Sequence, residues 1–285
     1  MTELAQLAAH YWKLTLAYDG SDFAGWQIQP GQLTIQAEIQ AALGRICGET
    51  PLPQGSGRTD AGVHALGQVC SFALVAPIPA DNLQRALNKT LPAAIRILGA
   101  KAVRSSFHAR HAALAKTYEY RIYRDAICPP TLARFVHACT WRLDRALLDE
   151  AAAAVVGTHD FVSFAAARAD ATGREGEVAA VSAAPPDKQG TTRTIFSSTW
   201  SERETGLLVY TVRGNGFLHH MVRNLVGTML EIGRGQFAPG SMATILAARN
   251  RSAAGPTSPA KGLFLHSVEY GEADAAVEQP EDDEQ

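Results

Sequence analysis

Short apolar runs of strand character alternate with amphipathic helical stripes along this 285-residue chain, and the same order occurs twice. Residues 11–18 (YWKLTLAY) place Leu14, Leu16 and Tyr18 on one face of a strand. Thr34 then reads as an N-cap, and Ile35, Ile39, Ala42, Leu43 and Ile46 form a helical stripe closing near Gly48. A strand is expected over 66–75. A second helix opens at Pro79-Ala80-Asp81 with Leu83, Leu87 and Leu91 inward, ends at Pro92, and is followed by a strand over 95–103. The second half begins with a strand over 116–123 (KTYEYRIY) and a helix from Asp144 with Leu147, Leu148, Ala151, Val155 and Val156 inward. Strands at about 191–200 and 206–213 precede a long helix over 217–232, whose apolar face runs from Phe217 and Leu218 to Met229. A short helix near 240–249 and a strand at 263–270 close the pattern. Both halves read β-α-β-β-α-β, the split-βαβ order. This predicts an α+β fold of two similar ferredoxin/RRM-like halves, with their sheets side by side around a central cleft. The expected division is 1–110, 111–270 and a tail over 271–285.

The net charge of −2 conceals an asymmetry. Residues 272–285 (EADAAVEQPEDDEQ) hold seven acids and no bases, leaving 26 basic residues against 21 acidic elsewhere, a body of about +5. That balance is compatible with a polyanionic partner and does not demand one. The tail reads as disordered and solvating, and the Ala-, Gly- and Pro-rich stretch 165–190 reads as a long mobile loop. No apolar run reaches the length of a membrane span and no signal pattern opens the chain, so a cytoplasmic location is expected. Cys47, Cys70, Cys128 and Cys139 lack CxxC or regular spacing, which points to buried thiols rather than disulfides or a zinc site.

The chemistry is expected in Gly55-Ser56-Gly57-Arg58-Thr59-Asp60-Ala61-Gly62-Val63-His64-Ala65-Leu66-Gly67-Gln68. Four glycines there let the chain turn sharply and let another segment approach closely. A surface turn uses the same residue types. Asp60 can be read as a nucleophile, a general base or merely a turn carboxylate, and Arg58 would share its direction if both lay on a strand. Arg223, on the long helix after Gly214-Asn215-Gly216, is a second cation or a solvated helix-face arginine. Tyr118 and Tyr120 share one strand face, as core residues or as a platform for a flat ring. Phe107-His108-Ala109-Arg110-His111 is a loop suited to phosphate contacts or simply a polar connection. His219-His220, read as helical, point about 100° apart and make poor ligands for one ion, so one packed and one exposed histidine is expected and no metal site. GxxxxGK[ST], GxGxxG after a strand and GxSxG are all absent, so nucleotide hydrolysis, dinucleotide redox and α/β-hydrolase chemistry lack support.

In combination the blocks YDGSDFAGWQIQP (18–30), TIQAEIQAAL (34–43), GSGRTDAGVHALGQV (55–69), FHAR (107–110), KTYEY (116–120), GTHDFVSF (157–164), GNGFLHHMVRNLVGTML (214–230) and KGLFL (261–265) are specific. Over about residues 11–270 the chain closely resembles the TruA family of tRNA pseudouridine synthases. The resemblance implies isomerisation of uridine to pseudouridine at positions 38, 39 and 40 of the tRNA anticodon stem-loop, by a homodimer that needs no cofactor. It makes the expected cleft an RNA-binding one. Asp60 matches the catalytic aspartate, and Arg58 the arginine that helps displace the target base. Tyr118 matches the tyrosine that stacks on the uracil, Arg223 the arginine paired with the catalytic carboxylate, and Leu263 an apolar residue of the pocket. Phe107, His108, Ala109, Arg110 and His111 correspond to an RNA-contacting segment. Between Phe164 and Thr192 the chain is longer and richer in alanine than the family's usual polar loop, and no binding residue is carried over there.

Two other classes use some of the same features. A catalytically silent RNA-binding protein would keep the basic loops and Tyr118 without needing Asp60. A nucleosidase would release free base and usually needs a second carboxylate as acid, and none is conspicuous near the Gly-rich block.

Overall fold

The computed structural model describes residues 9–166, 190–204 and 206–271. The acidic tail and all of the 165–190 stretch except Ala165, Ala166 and Gly190 lie outside them. The chain divides into two compact units, one running to Leu114 and resuming at Val268, the other Ala115–Ser267. The fold is α+β with mostly antiparallel strands.

The first unit contains β1 (His10–Tyr18), α1 (Ile35–Cys47), β2 (Gln54–Gly55), β3 (His64–Leu74), α2 (Ala80–Thr90) and β4 (Ile95–Val103). β1 lies between β4 and β3, antiparallel to both, and β2 pairs with the far side of β3. Local chemistry sets the helix limits. The Thr34 hydroxyl accepts the Ala37 N–H at 3.4 Å, and Gly48 ends α1 in the left-handed region. Pro92 drives Leu91 into extended geometry (φ −74°, ψ 148°), which stops α2. Alternation along β1 buries Trp12, Leu14, Leu16 and Tyr18 in one row. A register shift between Leu16 and Tyr18 sets Leu16 opposite Gln68 but Tyr18 opposite Ala65. A smaller cluster gathers Val69, Val103, Phe107 and Ala109 with Val268 and Tyr270.

The second unit takes up β5 (Ala113–Tyr123) after its first two residues and contains β6 (His137–Ala138), α3 (Arg145–Ala153), β7 (Gly157–Asp160), β8 (Thr192–Glu204) and β9 (Leu207–Gly214). It continues with α4 (Met221–Gly233), α5 (Ser241–Ala248) and β10 (Leu263–Tyr270), whose last three residues belong to the first unit. Its strand order is β10-β5-β9-β8-β7, with β6 parallel to β5. β6 and β7 add to the expected pattern, being too short for a period-2 signal to register.

Three expectations about this unit need correction. Val156 is 43% exposed rather than inward, because α3 ends at Ala153 and the helical phase is lost before it. The long helix starts at Met221, not 217, so Phe217 and Leu218 lie in the turn before it. His219 and His220 are therefore not helical neighbours. His220 occupies the left-handed region (φ 61°), both histidines are half-buried, and their ring centres lie 3.9 Å apart with the planes tilted by 37°. α4 is buried all round except at Arg223, as a core helix should be. Of the four thiols, Cys70 and Cys139 are buried while Cys47 and Cys128 are only partly so. No helix among the described residues is long and apolar enough to cross a membrane.

Candidate active site

Of the Gly-rich block, residues 56–63 form an irregular segment between β2 and β3, while Gly55 ends β2 and His64–Gln68 open β3. Thr59 is buried, Arg58 before it is exposed, and Asp60 after it is half-buried, so arginine and carboxylate flank an inward anchor. Residues 19–26 clamp this segment backbone to backbone. The Trp26 N–H donates to the Thr59 carbonyl at 3.1 Å, and the Gly62 N–H to the Phe23 carbonyl at 3.3 Å. Asp60 and Val63 close a turn through a 3.1 Å bond from the Val63 N–H to the Asp60 carbonyl. Gly25 sits at φ +95°, and a Cβ on it would lie 2.5 Å from the Thr59 carbonyl oxygen. Only glycine meets both demands. Below the turn, the Nδ1 of buried His64 accepts the Gly20 N–H at 3.1 Å. Asp60 is thus carried on a loop with little freedom to move.

The 107–111 segment also belongs to the first unit. Phe107 and Ala109 point inward, and Ala109 is tied through both backbone groups, to the Ser71 hydroxyl at 3.0 Å and the Tyr270 hydroxyl at 2.7 Å. Arg110 and His111 are exposed. The Lys13 ammonium stands 4.2 Å from the Tyr270 ring centre and 5.4 Å from that of Phe107. Burial, then the neighbouring His111 and Arg110 charges, lower the His108 pKa. Its Nδ1 accepts the Arg110 N–H at 3.1 Å.

In the second unit Tyr118 is buried on β5, edge-on to Phe217 with ring centres 5.0 Å apart. Tyr120 is held differently, its hydroxyl donating to the Pro259 carbonyl at 2.8 Å. Arg223 is fixed to the strap 254–259 from both sides of its residue. Its Nε donates to the Ser258 carbonyl at 2.8 Å, and its own carbonyl accepts the Ser258 N–H at 3.1 Å. The strap is anchored in turn by Arg251, which bonds the carbonyls of Ala254 and Gly255, the Thr257 hydroxyl and the Asn224 amide oxygen. Leu263 is buried at the start of β10. Within either unit taken by itself, no three His, Cys, Asp or Glu groups among the described residues converge closely enough to hold a metal ion.

Glu119, between the two tyrosines, faces the other side of β5. Burial alone would raise its carboxyl pKa. The Arg203 guanidinium, bonded through both terminal nitrogens, outweighs that with help from His266 at 3.7 Å and Arg121 at 3.2 Å, and the pKa is lowered. A carboxylate of depressed pKa stabilises the fold fully above the ordinary glutamate value of about 4.5 and loses that contribution as pH falls through its own lower value. Glu119→Gln is expected to cost about 2 kcal/mol at pH 7, and the gap from wild type should close as the solution is acidified toward pH 3. Urea unfolding at both pH values checks this, and a gap independent of pH would refute it.

The structure therefore places Arg58, Asp60 and the 107–111 segment in one unit and Tyr118, Arg223 and Leu263 in the other. Phe217 and the Ser258 carbonyl were not foreseen as supports. Phe217 continues the apolar period of the helix that follows it, and a backbone carbonyl leaves no mark in a sequence.

A family model described as tRNA pseudouridine synthase matches residues 15–111 and 151–271. A protein named tRNA pseudouridine synthase A from Solibacter usitatus is 49% identical over 258 residues, covering 90% of this chain and 98% of its own length. Proteins of the same name from Moorella thermoacetica (44% over 261 residues) and Bacillus pumilus (41% over 260 residues) cover the same shares. With two separate stretches matched and nearly the whole length of each relative spanned, this chain belongs to the tRNA pseudouridine synthase family, enzymes that isomerise uridine to pseudouridine.

Proposed function

We propose that this protein converts uridine to pseudouridine at positions 38, 39 and 40 of the tRNA anticodon stem-loop, with Asp60 as the catalytic carboxylate. The observation that carries the reading is the clamped loop. It holds one half-buried carboxylate two residues from an exposed guanidinium, in a chain of this family. The scissile bond lies within a paired or stacked element, so the base must first be extracted, at a cost of a few kcal/mol. Arg58, exposed at the loop's edge, suits displacement of that base. The exposed Arg110 and His111 suit phosphate contacts, with Phe107, His108 and Ala109 as the frame of that RNA-contacting segment. Tyr118, Arg223 and Leu263 keep the roles that the resemblance assigns them.

In the reaction, Asp60 either attacks the ribose C1′ or removes a ribose proton, and the bond from C1′ to uracil N1 breaks. The detached base turns and C5 bonds to C1′ as the ester to Asp60 breaks, or as the proton taken from the ribose returns to it; C5 then loses its proton and N1 gains one. No electron or phosphoryl group is transferred. Confinement matters because an escaped uracil would leave an abasic site.

The strand orders support the ferredoxin-like reading of each half, since β4-β1-β3-β2 and β10-β5-β9-β8 both follow the split-βαβ pattern. We read 1–110 and 111–270 as the working halves, 271–285 as a tail, and the enzyme as a cytoplasmic homodimer. The test is incubation with unmodified tRNA transcripts followed by mapping of pseudouridine. Product confined to positions 38–40 is expected. Product elsewhere, or free uracil, would overturn the reading.

A further inference from the structure

Four buried polar side chains that the proposed chemistry leaves unused converge on the peptide leading to Asp60. Gln68 is fully buried on the inward row of β3, next to Cys70 and Phe72 along that row. An amide in such a place is costly unless each polar atom finds a partner, and here each does. Its Oε1 accepts the Ser56 hydroxyl at 2.7 Å and the Val69 N–H at 3.1 Å. Its Nε2 donates to the Gly57 carbonyl at 2.9 Å and to the Tyr18 hydroxyl at 3.4 Å. That hydroxyl lies 2.9 Å from the Thr59 hydroxyl. Ser56, Tyr18 and Thr59 are themselves buried.

Ser56, Gly57 and Thr59, three of the four residues before Asp60, are therefore held by one connected network. Backbone pairing with β3 reaches only the first of them: β2 ends at Gly55, and one further bond follows, from the Ser56 N–H to the Val69 carbonyl at 2.7 Å. Tyr18 continues the inward row of β1, and the antiparallel register places Gln68 opposite Leu16, one step before it in that row and within reach of the loop. Arg58, whose neighbours on both sides are tied, stays at the surface.

We propose that Gln68, Tyr18 and Thr59 are positioning residues that set where the Asp60 carboxylate meets the ribose. The inference rests on the reading of Asp60 as the catalytic group. A reacting group displaced by about 1 Å loses roughly 100-fold in rate without any change in the surface that binds substrate. Burial pushes the Tyr18 phenol up to about 12, so it stays protonated and the network does not titrate near neutral pH.

The test compares Tyr18→Phe, Thr59→Val, Thr59→Ser and Asp60→Asn in single-turnover assays on a tRNA transcript, with rates normalised to the folded fraction. Tyr18→Phe and Thr59→Val should be slower by about 10- to 100-fold at saturating enzyme, with transcript affinity within about twofold of wild type. Thr59→Ser keeps the hydroxyl and should recover most of the rate. Each pH profile should keep the wild-type shape. Wild-type rates for Tyr18→Phe and Thr59→Val beside an inactive Asp60→Asn would overturn the positioning role alone. So would a loss seen only in affinity, or one that Thr59→Ser shares. Turnover by Asp60→Asn would instead remove the reading of Asp60, and the inference with it.

Discussion

Asp60→Asn is expected to leave tRNA bound and its uridines unconverted. Asparagine matches the carboxylate in size, so the loop held by Trp26, Phe23 and Thr59 should keep its shape while the charge disappears. An amide is neither a nucleophile nor a base, and losing a group of that kind costs on the order of 10⁴-fold in turnover or more. Binding should behave differently. Affinity for RNA comes mainly from cations meeting phosphates, and Asp60 adds a negative charge to that encounter. Its removal should change the dissociation constant by less than about tenfold, or 1.4 kcal/mol, in either direction. Pseudouridine mapping with a filter-binding titration on the same preparation separates the two quantities. Conversion by Asp60→Asn within about tenfold of wild type would sink the assignment. A parallel collapse of binding would mean that the loop, rather than the carboxylate, had been lost.

The second large effect concerns a glycine remote in sequence from that loop. Helix propensity alone says that Gly227→Ala should stabilise α4 by about 1 kcal/mol. The fold says otherwise, because a Cβ at 227 would stand 1.7 Å from the Pro256 carbonyl oxygen. That atom is backbone, so the strap must move as a whole. Overpacking in a core helix costs about 3 kcal/mol, and the strap carries the Ser258 carbonyl that holds Arg223. Gly227→Ala should therefore lower the melting temperature of its unit by roughly 6–12 °C and depress turnover as well. Gly99→Ala is the control, since a Cβ there meets nothing within 4 Å. It should stay within about 0.5 kcal/mol of wild type. Equal behaviour of the two variants in thermal unfolding would show that close approach at 227 is not what the glycine serves.

Much of the local structure was legible beforehand. The Thr34 and Gly48 caps, the Leu91-Pro92 stop and the inward row of β1 each follow from interactions within a few residues, so their chemistry is written in adjacent letters. The family was legible too, in the order and spacing of the blocks from 18 to 265. What failed was phase. Phe217 and Leu218 continue the apolar period of α4 backwards, yet the chain at His220 enters the left-handed region and breaks the helix there. Arg58 and Asp60 read as strand neighbours sharing a direction. They do flank an inward Thr59, but in a loop whose conformation comes from residues 19–26.

From its letters alone this chain declared two rounds of strands and helices, and a Gly-rich loop with a single carboxylate in a family context. Period and capping are short-range, and a motif survives only where its spacing is kept. The tertiary structure alone decided that Gln68 would reach Ser56, Gly57 and Tyr18, that Ser258 would grip Arg223, and that Gly227 would lie against Pro256. Those partners stand between about 10 and 50 positions apart in sequence. Only strand register and helix packing bring them within hydrogen-bonding or van der Waals reach, and neither is a property of any one segment.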